Sequence, residues 1–101
     1  MNYILFFPVI AETVDELGQA TQTVIDYSRQ VFCDKKAIPQ SEFFAGGQQG
    51  IKPAICLIVG KFDYQNETTV KFEGIVYSIY RKYETHDETI ELYGEVRSGA
   101  H

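Results

Sequence analysis

A reaction centre in this chain would have to be assembled from three short segments. The first is "PQSEFFAGGQQGIKP", residues 39–53, in which Gly46, Gly47 and Gly50 precede Lys52. Glycine backbone and a nearby ammonium are the ingredients of a phosphate cradle. The spacing excludes one, because neither G-x-x-x-x-G-K-[ST] nor G-x-G-x-x-G is present and no βαβ unit with parallel strands surrounds the segment. The second is "ETHDE", where Glu84, His86, Asp87 and Glu88 offer acid–base or metal chemistry. It lies between two strand-like runs and reads as a hairpin loop with solvated charges. Neighbours on one turn do not converge on an ion without ligands from elsewhere. The third is a thiol, Cys33 or Cys56, paired with His86 or His101. The two cysteines are separated by 22 intervening residues, each inside an apolar run, and neither has a neighbouring base that would lower its pKa. They read as buried free thiols. No nucleophile, acid–base pair or metal site is assembled, so the sequence is expected to be non-enzymatic, with no cofactor and no metal.

The 101 residues make one domain, expected over 1–97 with a loose tail at 98–101. Hydrophobic residues are 45% of the chain, with seven Phe, seven Tyr and no Trp, which is enough to bury one core. The apolar run from Tyr3 to Ala11 is about half the length of a membrane span and is broken by Pro8, with no basic flank. Neither a signal peptide nor a membrane segment is expected. A net charge of -5, with acids spread along the chain, argues against a general phosphate-binding surface.

Period and punctuation give the elements. After Ala54, "AICLIVGKFDY", "TTVKF", "IVYSIYRKY" and "TIELYGEVR" alternate between turns, predicting a four-strand meander. A period of two places Val70, Phe72, Ile75, Tyr77, Ile79, Ile90, Leu92 and Val96 toward the core. Ser78, Tyr80, Lys82, Glu91, Tyr93, Glu95 and Arg97 face the other way, toward solvent or a partner. In the first half, "YILFFPVIA" predicts a strand cut or bent at Pro8 and "TVDELGQA" a turn with Gly18 at positive φ. Residues 19–37 are extended with a bulge.

The fold expected is all-β, a small antiparallel six-stranded barrel with one short helix or ordered loop between the second and third strands. In that helix Ser41 is the expected N-cap, Glu42 lies in the first turn and Gly50 ends it. Gly46 and Gly47 each cost about 1 kcal/mol relative to alanine, so the conformation must depend on what the segment touches. Tyr77, Tyr80, Tyr83 and Tyr93 also suggest an OB-like single-strand stacking face. Nine Lys and Arg against fourteen acids make that groove poorly charged for the task.

The ordered set "DELG", "SRQVFCDKKAI", "SEFFAGGQQGIKP", "KFDYQNE" and "VYSIYRKYETHDETIELYGEV" resembles the head-tail adaptor, or head-closure (stopper), proteins of long-tailed bacteriophages and Gram-positive prophages. The resemblance implies a homo-oligomeric ring of twelve subunits, lying between a portal-side adaptor and a tail-completion or tail-terminator protein. Packaged double-stranded DNA would pass through its channel. It implies a virion protein assembled in the host cytoplasm, without a membrane partner. In such proteins the loop between the second and third strands can close the channel. Here that loop holds Ser41, Glu42, Phe43, Phe44, Gly46, Gly47, Gln48, Gln49, Gly50 and Lys52. On this basis Phe43 and Phe44 are anchors against the barrel or a neighbouring loop, the glycines permit rearrangement, and the glutamines bond between subunits or toward DNA. The competing arrangement is a helix capping one barrel end with both Phe in the core. Arg81, Lys82, Tyr83 and Glu84 are further candidates for subunit or tail contacts. The apolar first strand departs from the family pattern, and it packs either in the barrel or on a neighbour's sheet.

Overall fold

The β-branched and aromatic runs form strands, as shown by a computed structural model that describes residues 1–96, the side chains of residues 22, 24 and 25 excepted. The expectations for Arg97, for His101 and for a loose tail at 98–101 lie outside the described residues. Among the described residues there are six strands: β1 (Tyr3–Val14), β2 (Ala20–Lys36), β3 (Ile55–Gly60), β4 (Thr69–Phe72), β5 (Ile75–Glu84) and β6 (Thr89–Val96). One helix, α1 (Gln40–Gln48), lies between β2 and β3, and a short 3-10 turn, Lys61–Asp63, follows β3. All neighbours are antiparallel and the sheet closes in the order β1-β2-β3-β6-β5-β4. The expected all-β barrel with its helix between the second and third strands is the architecture observed.

Closure is uneven. β3 and β6 pair along the whole of β3, from Ile55↔Gly94 to Gly60↔Thr89. β2 meets β3 only over Asp34–Lys36, and β1 meets β4 only at Leu5↔Phe72 and Phe6↔Lys71. Beyond Pro8, β1 and β2 leave the barrel as a two-stranded arm. β1 runs through Pro8 without a break, and the register shifts on both sides of Val9 with the extra residues in β2, so the bulge expected there lies opposite the Pro8–Val9 segment. Gly18, at φ +80°, turns the arm's tip.

Leu5, Phe7, Leu57, Val59, Val70, Phe72 and Leu92 fill the interior, so the first half of β1 packs inside the barrel. Cys33 and Cys56 are buried free thiols. Two residues assigned to the core are exposed instead. Ile75 opens β5 after the Glu73–Gly74 turn and Val96 is the last described residue of β6, so both sit at a rim. The period of two gives direction but not depth.

A third correction comes from the register. Ile79 pairs with Gly94 but Arg81 pairs with Tyr93, so one extra residue is accommodated in β5. The shift puts Arg81 on the outer face beside Tyr93 and sends Lys82, opposite buried Leu92, toward the barrel mouth. There its ammonium lies 5.4 Å from the centre of the Tyr64 ring.

The interior assignment is tested by truncation. Leu57→Ala should lower unfolding free energy by about 2–5 kcal/mol in urea titrations followed by tyrosine fluorescence. Val96→Ala should change it by less than about 0.5 kcal/mol.

Candidate functional site

α1 starts where Pro39, at φ -62° and ψ 147°, delivers an extended chain into the first turn. The helix begins at Gln40, so the N-cap position is Pro39 and not Ser41, which stays exposed with no capping hydrogen bond. At the other end Gly50 takes φ +76°. The N–H of Ile51 donates to the Gly46 carbonyl at 2.8 Å and that of Gly50 to the Gly47 carbonyl at 3.2 Å. This is a Schellman closure, and it requires a residue tolerant of positive φ at position 50.

Only Glu42 and Gly46 of α1 are buried, and their spacing of four residues defines one face. That face lies on the outside of the barrel wall. A Cβ on Gly46 would come within 3.0 Å of Pro53 Cγ, so glycine is needed here for close approach. A Cβ on Gly47 would meet nothing within 4 Å. Phe43 and Phe44 point away, at 48% and 69% exposure. The alternative of a barrel-end cap with both Phe in the core is therefore overturned, as is their anchoring on the barrel itself. Successive helical residues turn by about 100°, and burial of Glu42 directs its two followers outward.

The residue that seats the helix is Glu42, only 6% exposed. Arg81 Nη1 donates to both carboxylate oxygens, at 3.0 and 2.6 Å, and Tyr80 Oη lies 3.4 Å from Oε1. The Arg81 guanidinium also sits 5.0 Å over the Tyr93 ring. Below it, Tyr93 Oη donates to Glu91 Oε1 at 2.8 Å and Lys36 Nζ to Glu91 Oε2 at 3.0 Å. Two candidate groups far apart in sequence, the Gly-rich segment and the β5 end, thus meet through Glu42 and Arg81.

The other candidates disperse. Lys82 donates to Asn66 Oδ1 at 3.1 Å, Glu84 lies 3.6 Å from Lys61, and Tyr83 is exposed. The Lys52 side chain, Gln48 and Gln49 are exposed, and the Lys52 backbone N–H donates to Glu95. The four tyrosines of the alternative stacking face do not form one platform, since Tyr77 and Tyr93 are buried and Tyr80 packs against Tyr93. The run 84–88 is the predicted hairpin turn, closed by the Thr85 N–H on the Thr89 carbonyl.

Burial pushes the Tyr80 hydroxyl up to about 12, helped by the charge of Glu42. Burial, then its bond to Glu91, raises Tyr93 further. Both phenols therefore stay protonated donors at neutral pH. Burial opposes ionisation of Glu91, but the hydrogen bonds from Tyr93 and Lys36 outweigh it, and its pKa lies below the ordinary 4.5. Cys56 is raised to about 11 by burial and by Glu91, which makes it unreactive near neutral pH. With its carboxylates fully engaged by cations and phenols, the cluster is suited to holding a helix, not to transferring protons.

Sequence reasoning placed Glu42 at the helix dipole and missed its partner. It also missed Lys36 and, besides Glu42 and Glu91, a third buried carboxylate, Glu67. That group pairs with Arg29, which donates to the Asp63 carbonyl at 2.8 Å and lies 4.8 Å over the Phe7 ring. Among the described residues no group of three or more His, Cys, Asp or Glu can hold a metal ion, and no helix is long and apolar enough to cross a membrane. No family model matches the chain, and no curated protein matches it.

Two outcomes follow from the cluster. Glu42→Gln should weaken the grip of Arg81, lower stability by about 1–2 kcal/mol given the half-exposed guanidinium, and speed amide exchange across 42–48. Unchanged exchange there would remove Glu42 from this role. For Glu91, the folded-state pKa is depressed, so its contribution is full above the ordinary 4.5 and is lost as pH falls through the lower folded value. Acid titration of stability should show that loss in the native chain and a flatter profile in Glu91→Gln.

Proposed function

We propose that this chain is a structural subunit of the head-tail connector of a long-tailed bacteriophage. In this role it forms a ring below the portal and its adaptor, retains packaged DNA and presents the docking surface for the tail. The main support is α1: a nine-residue helix with two central glycines, seated on the barrel wall chiefly by one carboxylate. The ordered sequence resemblance to stopper proteins points the same way. An acidic subunit, at net charge -5, suits a conduit that duplex DNA must pass without sticking, since lysine-rich walls would bind phosphate by counterion release.

The moving part in this proposal is residues 40–53. Phe43 and Phe44 are its exposed contacts for a neighbouring subunit's loop, and Gln48 and Gln49 hydrogen-bond between subunits or toward DNA without a charge attraction. Displacing α1 separates Glu42 from Arg81 and returns both to water, so the two arrangements differ by a small free energy.

Gly47→Ala is the clean probe, because its Cβ enters open space and stiffens α1 by about 1 kcal/mol, whereas alanine at 46 would press on Pro53. Virus particles carrying Gly47→Ala should leak DNA or fail to eject it while the isolated domain remains folded. Normal retention and ejection would end the gate assignment. A gel-shift series separates the other class: an oligonucleotide-binding module would retain DNA with steep salt dependence, and the connector subunit should not.

A further inference from the structure

The arm beyond Pro8 rests on the barrel at its base, where Tyr27 Oη lies 3.1 Å from Thr69 Oγ1 and Val9, Ile10 and Glu12 border a hollow with residues 65–68. Between Val9↔Asp26 and Val14↔Ala20 its two strands pair only with each other, and every described side chain from Glu12 to Asp26 is exposed. A lone two-stranded ribbon is marginal in water. Its tip is nonetheless firmly built. Asp15 Oδ1 accepts from the N–H of Leu17 at 2.9 Å and of Gln19 at 2.8 Å, and the Gly18 N–H donates to the Asp15 carbonyl at 3.0 Å. This turn holds Leu17 at 83% exposure, the most exposed large apolar side chain described. A preformed apolar knob reduces the ordering cost of an association.

Charge is concentrated on the same arm. From Pro8 to Ser28 it carries Glu12, Asp15, Glu16 and Asp26 with no Lys or Arg, so it holds -4 of the net -5. The remaining nine cations and ten acids leave the rest of the chain at -1. Pairing two arms would set acids against acids, which opposes a two-fold contact through this element.

A complementary hollow of about 310 Å³ lies on the barrel, bounded by Lys61, Tyr64, Asn66, Lys82, Glu84 and Ile90. Tyr64 and Ile90 give it apolar walls, Lys61 and Lys82 are exposed beside them, and Phe62, at 80% exposure, adjoins Lys61. No arm residue of the same chain lines it.

We propose that the tip of the arm docks in this hollow on a second copy of the chain, with Leu17 against Tyr64 and Ile90 and Glu16 toward Lys61 and Lys82. Knob and hollow are different surfaces, so the contact is head-to-tail and its repetition closes a ring or extends a filament. The choice of a ring rests on the connector function proposed above.

Disulfide capture tests it, because the native thiols are buried with pKa values raised to about 11 and stay silent. Copies carrying Glu16→Cys and copies carrying Lys61→Cys, mixed and oxidised, should give a cross-linked heterodimer. Adding Leu17→Asp to the first should slow its formation by about tenfold or more. No cross-link, or one indifferent to Leu17→Asp, overturns the docking. Sedimentation of the unaltered chain near 1 mM, a concentration chosen as about the scale of a weak contact, separates the causes. Oligomers without the cross-link sink the arm contact alone, and monomers without it sink the ring as well.

Discussion

The bond between Glu42 and Arg81 is the constraint on which the outer half of this molecule depends. α1 has little intrinsic reason to form: it spans nine residues, holds Gly46 and Gly47, and lacks a side-chain N-cap. Each glycine costs about 1 kcal/mol against alanine, and a helix of this length is marginal alone. Its buried face is a carboxylate and a glycine, so hydrophobic burial contributes little. What remains is a charge-assisted, two-oxygen grip by a guanidinium, strengthened because Glu42 is shielded from water and Arg81 is held over Tyr93.

That grip depends in turn on the barrel. Arg81 faces α1 only because β5 takes in one extra residue between Ile79 and Arg81, and a regular strand would present Lys82 instead. Tyr93 is held beneath the guanidinium by the bond from its hydroxyl to Glu91, and Glu91 is fixed from its other oxygen by Lys36 of β2. A single polar chain therefore runs from the helix through β5 and β6 to β2. Its last link crosses near the short seam where β2 joins β3 over Asp34–Lys36. The network reinforces the wall where backbone pairing is sparse.

Much of the fold was legible because it is written in local chemistry. Alternating runs separated by "DELG", "QNE", "EG" and "ETHDE" announce strands and turns without reference to distant residues, and Gly50 marks the end of α1 by its conformational freedom. The face assignments held where the period ran unbroken, as at Val70, Phe72 and Leu92, and failed after Ile79, where one extra residue reverses every following side chain. No residue type signals such an insertion in "SIYRKY". The site was half legible. Its two arms, residues 41–52 and 81–84, stood out separately, but 39 positions separate Glu42 from Arg81, and such a pair leaves no spacing pattern. Phe43 and Phe44 misled for a related reason: apolar side chains suggest burial, yet the neighbouring glutamate has the partner that fixes which face turns inward.

The same geometry sets how firmly the helix can be held. Were α1 anchored by two buried phenylalanines, releasing it would expose about 3–6 kcal/mol of apolar surface, and the displaced form would be too rare to matter. Anchored by an ion pair whose arginine is half exposed, it gives up a net contact of about 1–3 kcal/mol, since both ions regain water on parting. A gap of that size leaves the displaced arrangement populated at roughly the per cent level, within reach of any neighbour that binds it even modestly better. For a subunit proposed to open and close a channel, a polar anchor is thus the physically suitable one. It specifies where the helix sits without making that position permanent.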